Sequence, residues 1–180
     1  IRKLPAVETL GSTTVICSDK TGTLTRNQMS VRRIAVGRAT YEVEGAGYEP
    51  EGRLSSGGNV MEGGLPAGLR EALVAGVLCN DSRLVRADGE WDVQGDPTEG
   101  ALLAAAARSG VDVEGLRSDL PRLDALPFDS RHQYMASLHD AGEDRGRVIY
   151  VKGAVEVILA RSAEAVDADG DTVGLKPEEV

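Results

Sequence analysis

Aromatic side chains are scarce in this chain, which contains one Trp, four Tyr and one Phe among 180 residues. Acidic residues outnumber basic ones, 29 to 20, and the formal net charge is −9. Proteins that bind nucleic acid carry a positive surface, and those that bind single strands stack bases on aromatic rings. The composition therefore argues against nucleic acid as a main partner and against the surface of an anionic membrane.

Cysteine is scarce as well, since the chain contains only Cys17 and Cys79. A disulfide-stabilised scaffold needs a denser set, so we predict two reduced, buried thiols in a cytosolic protein. No apolar run approaches the roughly 18 residues that a membrane-spanning helix requires. Because the first residue is Ile1 and no signal-peptide pattern follows it, we expect the chain to be a piece of a longer protein.

The residues that are present have the composition of a globular protein, with 41% apolar and 27% charged residues. Short runs bounded by turn residues predict strands, and apolar residues at helical spacing predict helices. We predict strands at 13–18, 29–36, 39–43, 83–86, 91–93, 122–127, 134–139 and 147–152, and helices at 67–78, 97–109 and 153–160. This mixture of hairpins and helices predicts an α+β fold, an antiparallel β-sheet flanked by helices.

Three segments carry weaker structural signals. Residues 45–64 contain seven glycines and no periodicity, so we predict a long surface loop. The acidic run 167–171 is spaced like the start of a Ca²⁺-binding loop. Thr172 stands where such a loop needs Gly, and we therefore predict a solvated turn over 167–174. A further helix is predicted to begin near Lys176.

The most specific string in the sequence is Asp-Lys-Thr-Gly-Thr-Leu-Thr at 19–25, directly after the predicted strand at 13–18. A carboxylate at the end of a buried strand can act as a nucleophile on a phosphoryl group. Backbone N–H groups, hydroxyls and a lysine suit the dispersed charge of that group, and a Mg²⁺ held by Asp19 and further carboxylates would neutralise the rest. The alternative is an ordinary hydroxyl-rich turn.

The string at 19–25 resembles the phosphorylation motif of P-type ATPases, the ion pumps that pass through an aspartyl-phosphate. The match covers all seven positions of the motif and extends into residues 4–11 and 25–29. These flanks are similar to the type II pumps, which transport Ca²⁺ or similar cations. The resemblance implies a chain with one strand of an α/β phosphorylation domain at 1–30 and a nucleotide-binding domain at 31–180.

The same resemblance implies roles for three residues of the string. Asp19 would be phosphorylated, Thr21 would contact the phosphate and Mg²⁺, and Lys20 would lie beside the phosphoryl group. The related haloacid-dehalogenase phosphatases place a second Asp, a general acid/base, at the position of Thr21. Because Thr cannot serve in that way, a long-lived phosphoenzyme is favoured over a phosphatase that turns over quickly.

Three later segments resemble the nucleotide-binding domain of the same family, namely residues 95–99, 127–135 and 151–156. The first segment is an acidic motif that opens a helix. The resemblance implies that Asp96 lies near the adenine amino group and that Glu99 belongs to the same part of the pocket. Asp96 is also a favoured N-cap residue, and both roles can hold together.

The other two segments supply the remaining candidate nucleotide-binding residues. By the resemblance, Phe128 stacks on adenine and Met135 lines the pocket, although both could be ordinary core residues. Gln133 stands where many relatives have Lys, and its neutral amide brings no charge to a phosphate. Lys152 would present its ammonium group to the nucleotide, and Gly153 would permit close approach of the backbone. The alternative is a strand-to-helix turn with an exposed lysine.

The resemblance thus implies the cytosolic ATP-binding part of a cation-transporting P-type ATPase, with ATP and Mg²⁺ as cofactors. Its partners would be the remaining phosphorylation, actuator and transmembrane domains of the same pump, in a bacterial plasma membrane. The chain on its own is expected to be inactive. A stand-alone haloacid-dehalogenase-like phosphatase and a non-catalytic nucleotide-binding module are the alternatives.

Overall fold

The computed structural model describes residues 14–15 and 28–175 of the chain. Three predictions lie outside these residues, namely the thiol of Cys17, the string at 19–25 and the helix expected from Lys176. The predicted strand at 13–18 is represented by two exposed residues that are not in a strand. Its other residues lie outside the described part, so this strand stays a prediction.

Within the described residues the chain forms eleven strands and five helices. They are β1 (Arg33–Val36), β2 (Ala39–Glu44), β3 (Arg53–Ser56), β4 (Asn59–Val60), α1 (Ala67–Leu78), β5 (Arg83–Ala87), β6 (Glu90–Gln94), α2 (Pro97–Arg108), α3 (Val113–Asp119), β7 (Arg122–Asp129), β8 (Tyr134–Asp140), α4 (Gly142–Arg145), β9 (Arg147–Gly153), α5 (Val155–Leu159), β10 (Glu164–Val166) and β11 (Thr172–Gly174). No helix of the described part is long and apolar enough to cross a membrane.

The strands form antiparallel sheets whose neighbours are also neighbours in sequence. One sheet has the order β1-β2-β3-β4, a second has the order β7-β8-β9, and β5-β6 and β10-β11 are separate hairpins. Helix α1 contacts both β1 and β9, while α2 packs against α1 and contacts β2, β5 and β6. The two long helices therefore connect the two larger sheets, which confirms the predicted α+β fold.

The main core lies where α1 and α2 meet the first sheet. Buried side chains recur at helical spacing on α1, and those of α2 are mostly alanines that let the two helices approach closely. The sheet contributes β-branched and aromatic side chains from its inner face. The buried members of this core are Val36, Tyr41, Val43, Leu54, Leu69, Leu73, Val77, Leu103, Ala105 and Ala106. A second cluster joins Val74 and Leu78 of α1 to Leu120.

Cys79 follows α1 and is completely buried. Its Sγ donates to the carbonyl oxygen of Met135 at 3.5 Å. Burial raises the pKa of this thiol, and a hydrogen bond with Ser137 acts in the opposite direction. The prediction of a reduced, buried thiol is therefore confirmed for Cys79.

The prediction of a loop at 45–64 is wrong for the second half of this segment, which contains the hairpin β3-β4. Leu54 is buried and pairs with Val43 of β2, so β3 extends the first sheet. The turn consists of Gly57 and Gly58, both with positive φ, of 57° and 81°. Such a glycine pair between two extended runs is a recognised hairpin signal, which the high glycine content of the segment obscured.

The turn predicted at 167–174 also needs correction, because β11 lies within it and pairs with β10. The turn itself is shorter and is closed by the side chain of Asp167. This carboxylate accepts from the backbone N–H groups of Asp169 at 3.0 Å and Asp171 at 2.9 Å. The acidic side chain that could suggest a metal ligand therefore stabilises its own turn.

Helix α3 was not predicted, because its apolar residues are few and it spans less than two turns. Asp112 provides the N-cap by accepting from the N–H group of Gly115 at 3.0 Å. This short helix packs against both α1 and α2. Tertiary contact, rather than helix propensity, accounts for its position.

Helix α2 ends on a buried arginine, Arg108, which is 6% exposed. Its Nε donates to the carbonyl oxygen of Glu49 at 2.9 Å. Its Nη2 donates to the carbonyl oxygens of Ala46 at 2.8 Å and Gly47 at 3.0 Å. Arg108 therefore attaches the turn after β2 to the end of α2.

We expect Arg108→Met to lower the free energy of unfolding by about 3 kcal/mol, because three carbonyl groups lose a charged donor. Urea denaturation followed by circular dichroism measures this change. The matched control is Arg70→Met on the exposed face of α1, which should change stability by no more than about 0.5 kcal/mol. Equal effects of the two substitutions would show that Arg108 does not have this role.

Candidate nucleotide site

A cavity of about 740 Å³ lies between the start of α2 and the sheet β7-β8-β9. Four segments that are distant in sequence contribute to its wall. The lining residues are Asp81, Ser82, Gly95, Asp96, Thr98, Glu99, Leu102, Phe128, Met135, Lys152 and Gly153. This size and the combination of apolar walls with a few polar groups are typical of small-molecule sites.

Six of the seven nucleotide-site residues expected from the sequence line this cavity. The exception is Gln133, which is exposed and occupies the turn between β7 and β8 with a φ of 59°. Its N–H group donates to Asp129 O at 2.7 Å, and its own carbonyl oxygen accepts from Ala154 N at 2.9 Å. Asp19, Lys20 and Thr21 lie outside the described residues.

The sheet positions the apolar side of the cavity. Met135 of β8 and Lys152 of β9 are cross-strand partners, so their side chains share one face of the sheet. A shift in the pairing of β7 and β8 falls between Leu126 and Asp129, next to Phe128. The Phe128 side chain is 63% exposed, which rules out the alternative that it is an ordinary core residue, whereas Met135 is almost fully buried.

Gly153 ends β9 beside the turn that contains Gln133. A Cβ atom at Gly153 would lie 2.3 Å from the carbonyl oxygen of Gln133 and 2.7 Å from the Cα atom of Tyr134. Backbone atoms cannot move aside as a flexible side chain can. The close approach of the two backbone segments at this edge of the cavity therefore requires glycine.

The polar side of the cavity is organised by Glu99, which lies in the first turn of α2. Its Oε1 forms an ion pair with the ammonium group of Lys152. Its Oε2 accepts from the backbone N–H of Asp81 and from the hydroxyl of Ser82, both at 2.9 Å. The side chains of Glu99 and Lys152 are only 12% and 25% exposed, so the ion pair is partly buried. The second carboxylate oxygen of Glu99 also has hydrogen-bond partners, which offsets the cost of burying its charge.

The sequence did not predict a role for the segment Asn80–Ser82, although its residues Asp81 and Ser82 line the cavity. The amide of Asn80 donates to the carbonyl oxygens of Gly76 and Glu99, both at 3.0 Å, and its oxygen accepts from Ser82 N at 2.9 Å. The available signal was a short polar run, Asn-Asp-Ser, directly after an apolar helix. These residue types commonly close turns with their own side chains.

Asp96 is the N-cap of α2. Its Oδ1 accepts from the N–H groups of Thr98 at 2.8 Å and Glu99 at 3.2 Å. Partial desolvation acts to raise the pKa of Asp96, but the hydrogen bonds from Glu99 and Thr98, helped by the charge of Lys152, lower it overall. The alternative of a capping carboxylate is therefore confirmed, and this residue still lines the cavity.

We expect Asp96→Asn, which keeps a capping oxygen but no charge, to be less stable than the unchanged chain at about pH 6. Because the folded-state pKa of Asp96 is depressed, the stability from its charge is present above the unfolded-state pKa and is lost as pH falls through the folded-state pKa. The difference in free energy of unfolding should therefore shrink from about pH 6 to about pH 3 in urea titrations. A difference that stays constant or grows would contradict this role.

Candidate metal ligands are not grouped in the described part of the chain. No cluster of three or more His, Cys, Asp or Glu side chains among residues 14–15 and 28–175 is placed to hold a metal ion. The expected Mg²⁺ ligands, Asp19 and Thr21, lie outside these residues, so the metal site stays a prediction.

Comparison with known proteins gives a consistent picture. A family model described as the cytoplasmic domain N of P-type ATPases matches residues 68–180. This range includes all seven residues expected to bind the nucleotide. It leaves out the sheet β1-β2-β3-β4 and the string at 19–25.

Curated relatives match over most of the chain. Cation-transporting ATPase pma1 of Synechocystis is 52% identical over 100% of the chain. The calcium-transporting ATPase of Bacillus subtilis is 44% identical over 91% of it, and the mouse calcium-transporting ATPase type 2C member 1 is 37% identical over 99%. The chain spans about a fifth of the length of these relatives, 20%, 18% and 19% respectively.

Proposed function

The chain belongs to the P-type ATPases, and from that premise we propose that its cavity of about 740 Å³ binds ATP in a cation-transporting pump. The observation that carries this proposal is the convergence of three sequence motifs, at 95–99, 127–135 and 151–156, on one cavity. The names of the relatives favour a pump over a stand-alone phosphatase or a non-catalytic nucleotide-binding module. Because the chain spans only part of these relatives, the activity of the whole protein is part of the proposal.

Adenine is proposed to lie against the exposed ring of Phe128. Aromatic rings hold bases by stacking, and a ring that is 63% exposed at the mouth of a cavity offers one face for this purpose. Met135 supplies an apolar floor, and the backbone at Gly153 comes close enough to contact the ligand. The capping carboxylate of Asp96 has acceptor sites to spare for the adenine amino group.

Charge in the cavity is provided by one ammonium group. Lys152 is the only Lys or Arg among the lining residues of the described part, while Gln133 is neutral and does not line the cavity. The ion pair with Glu99 holds Lys152 in place and neutralises part of its charge. We expect ATP phosphates to compete with Glu99 for this ammonium group, which favours modest affinity for nucleotide.

The proposed reaction begins when the domain that carries the nucleotide closes toward the string at 19–25. A carboxylate oxygen of Asp19 attacks the γ-phosphorus, the bond to the β–γ bridging oxygen breaks, and ADP leaves. Lys20 would lie beside the transferred group. Asp19 and Thr21 would hold a Mg²⁺ that offsets the negative charge of the phosphates. The aspartyl-phosphate then drives cation transport by membrane helices of the same pump, in a bacterial plasma membrane.

Truncation of the proposed stacking platform tests the adenine assignment. Stacking on an aromatic ring contributes about 1–3 kcal/mol, so Phe128→Ala should weaken ATP binding about tenfold or more. Chemical-shift titration of the isotope-labelled chain with ATP measures the affinity.

The matched control is Ile149→Ala on β9. Ile149 is also 63% exposed, but it does not line the cavity. This variant should bind ATP with unchanged affinity. If Phe128→Ala binds as tightly as the control, the stacking assignment is wrong.

A second experiment addresses the nucleophile in the full-length protein that carries this chain. Asp19→Asn should abolish acid-stable phosphoenzyme formation from radiolabelled ATP, because an amide cannot form the acyl phosphate. Asp169→Asn, in the turn between β10 and β11, should leave the signal unchanged. Persistence of the phosphoenzyme in the Asp19 variant would refute the mechanism without affecting the nucleotide assignment.

A further inference from the structure

A second cavity, of about 220 Å³, also borders the segment Asn80–Ser82. Three guanidinium groups line it, those of Arg83, Arg117 and Arg122, against a single carboxylate, that of Asp81. The chain as a whole has a net charge of −9, so three arginines around one small cavity are a marked local excess of positive charge. We call this cavity, which Arg83, Arg117 and Arg122 line, the arginine cavity.

Of the three arginines, Arg122 makes the most hydrogen bonds and ion pairs with the rest of the chain. Its Nη1 pairs with Asp81, and its Nη2 donates to the carbonyl oxygens of Leu78 at 3.0 Å and Asn80 at 2.7 Å. These bonds satisfy carbonyl groups at the end of α1. Arg122 therefore forms part of the wall and is fixed in position.

Most N–H groups of the other two guanidinium groups have no acceptor in the described part of the chain. Arg117 donates from Nη2 to Ser82 O at 2.9 Å, and its Nη1 is 3.9 Å from Glu114 on the same helix. Arg83 pairs with Gln94 through the β5-β6 ladder, but its side chain has no hydrogen-bond or ion-pair partner among residues 14–15 and 28–175. Since each guanidinium has five donors, the cavity presents many N–H groups without a protein acceptor.

Electrostatics at Arg117 agree with this geometry. Burial lowers the pKa of its guanidinium and Glu114 opposes that effect, while the positive charges of Arg83 and Arg122 lower the pKa further. Arg83 and Arg122 therefore both repel the partly buried guanidinium group of Arg117. A bound anion would remove that repulsion.

The deep wall of the cavity contributes no free donor. His139 lies there and is almost fully buried. Its Nδ1 is 2.8 Å from Leu120 O, and its Nε2 is 2.9 Å from Ser137 Oγ. The guanidinium groups are therefore the donors that could bind a ligand in this cavity.

We propose that the arginine cavity is a binding site for a phosphate-type oxyanion, separate from the nucleotide cavity. Guanidinium forks match phosphate oxygens in bidentate geometry, and several forks around one centre suit a tetrahedral group better than a planar carboxylate. The volume of about 220 Å³ holds one such group with water. The site does not depend on the function proposed for the larger cavity.

The test uses the isotope-labelled 180-residue chain, titrated with inorganic phosphate at constant ionic strength maintained with sodium chloride. Saturable shifts should appear at the amides of Asp81, Arg83, Arg117 and Arg122. Arg83→Gln should weaken phosphate binding about fivefold, as expected for loss of one exposed charge. Folding should be retained because the Arg83 side chain is exposed and has no hydrogen-bond or ion-pair partner in the described part. Arg83→Lys should bind with intermediate affinity, because it keeps the charge but loses the fork.

Two controls make the result specific. Arg86→Gln makes the same charge change on the same strand, but Arg86 lies over Trp91 and not in the cavity, so its phosphate affinity should be unchanged. As a second control, the amides of Lys152 and Gly153, which line the nucleotide cavity and not the arginine cavity, should show no saturable shift. Linear, non-saturating shifts, or equal losses in the Arg83 and Arg86 variants, would overturn the proposal. Saturable shifts at Lys152 and Gly153, with none at Arg83 or Arg117, would instead assign the anion to the nucleotide cavity.

Discussion

The partly buried carboxylate of Glu99 is the group on which the arrangement of the candidate nucleotide site depends. It connects α2 to Lys152 on β9 and to the backbone and hydroxyl of the segment that follows α1. A carboxylate with so little exposure is costly unless each oxygen has a partner. The N-cap at Asp96 fixes where α2 begins and therefore where Glu99 lies. Local helix capping thus determines the position of a long-range ion pair.

Four positively charged side chains lie around the short segment Asn80–Ser82 of this acidic chain. Lys152 is connected to Asp81 and Ser82 through the carboxylate of Glu99. Arg117 and Arg122 of the second cavity donate to carbonyl groups of Ser82 and Asn80. The net charge of −9 is consequently a poor guide to the ligands that the domain can accept. The nucleotide cavity is lined by one cationic side chain, and the arginine cavity by three that the fold brings together from separate elements.

Much of the fold could be predicted from local sequence because its strands pair with their sequence neighbours. The hairpin β5-β6 turns at Asp88 and Gly89, both with positive φ, as a short-range signal predicts. The prediction failed where a strand is stabilised by contacts outside its own segment. β3 forms because Leu54 is buried beside Val43, and no periodicity within residues 45–64 reports that contact.

Motif spacing was sufficient to identify the family and to select seven candidate nucleotide-binding residues, six of which share one cavity. Helix caps and hairpin turns were also accessible, because their interactions span only a few residues. The exposure of Phe128, the exclusion of Gln133 and the participation of Asp81 depend on contacts between segments far apart in sequence. No short stretch of sequence determines a cavity, because its shape and charge arise only when separate helices and strands pack against one another.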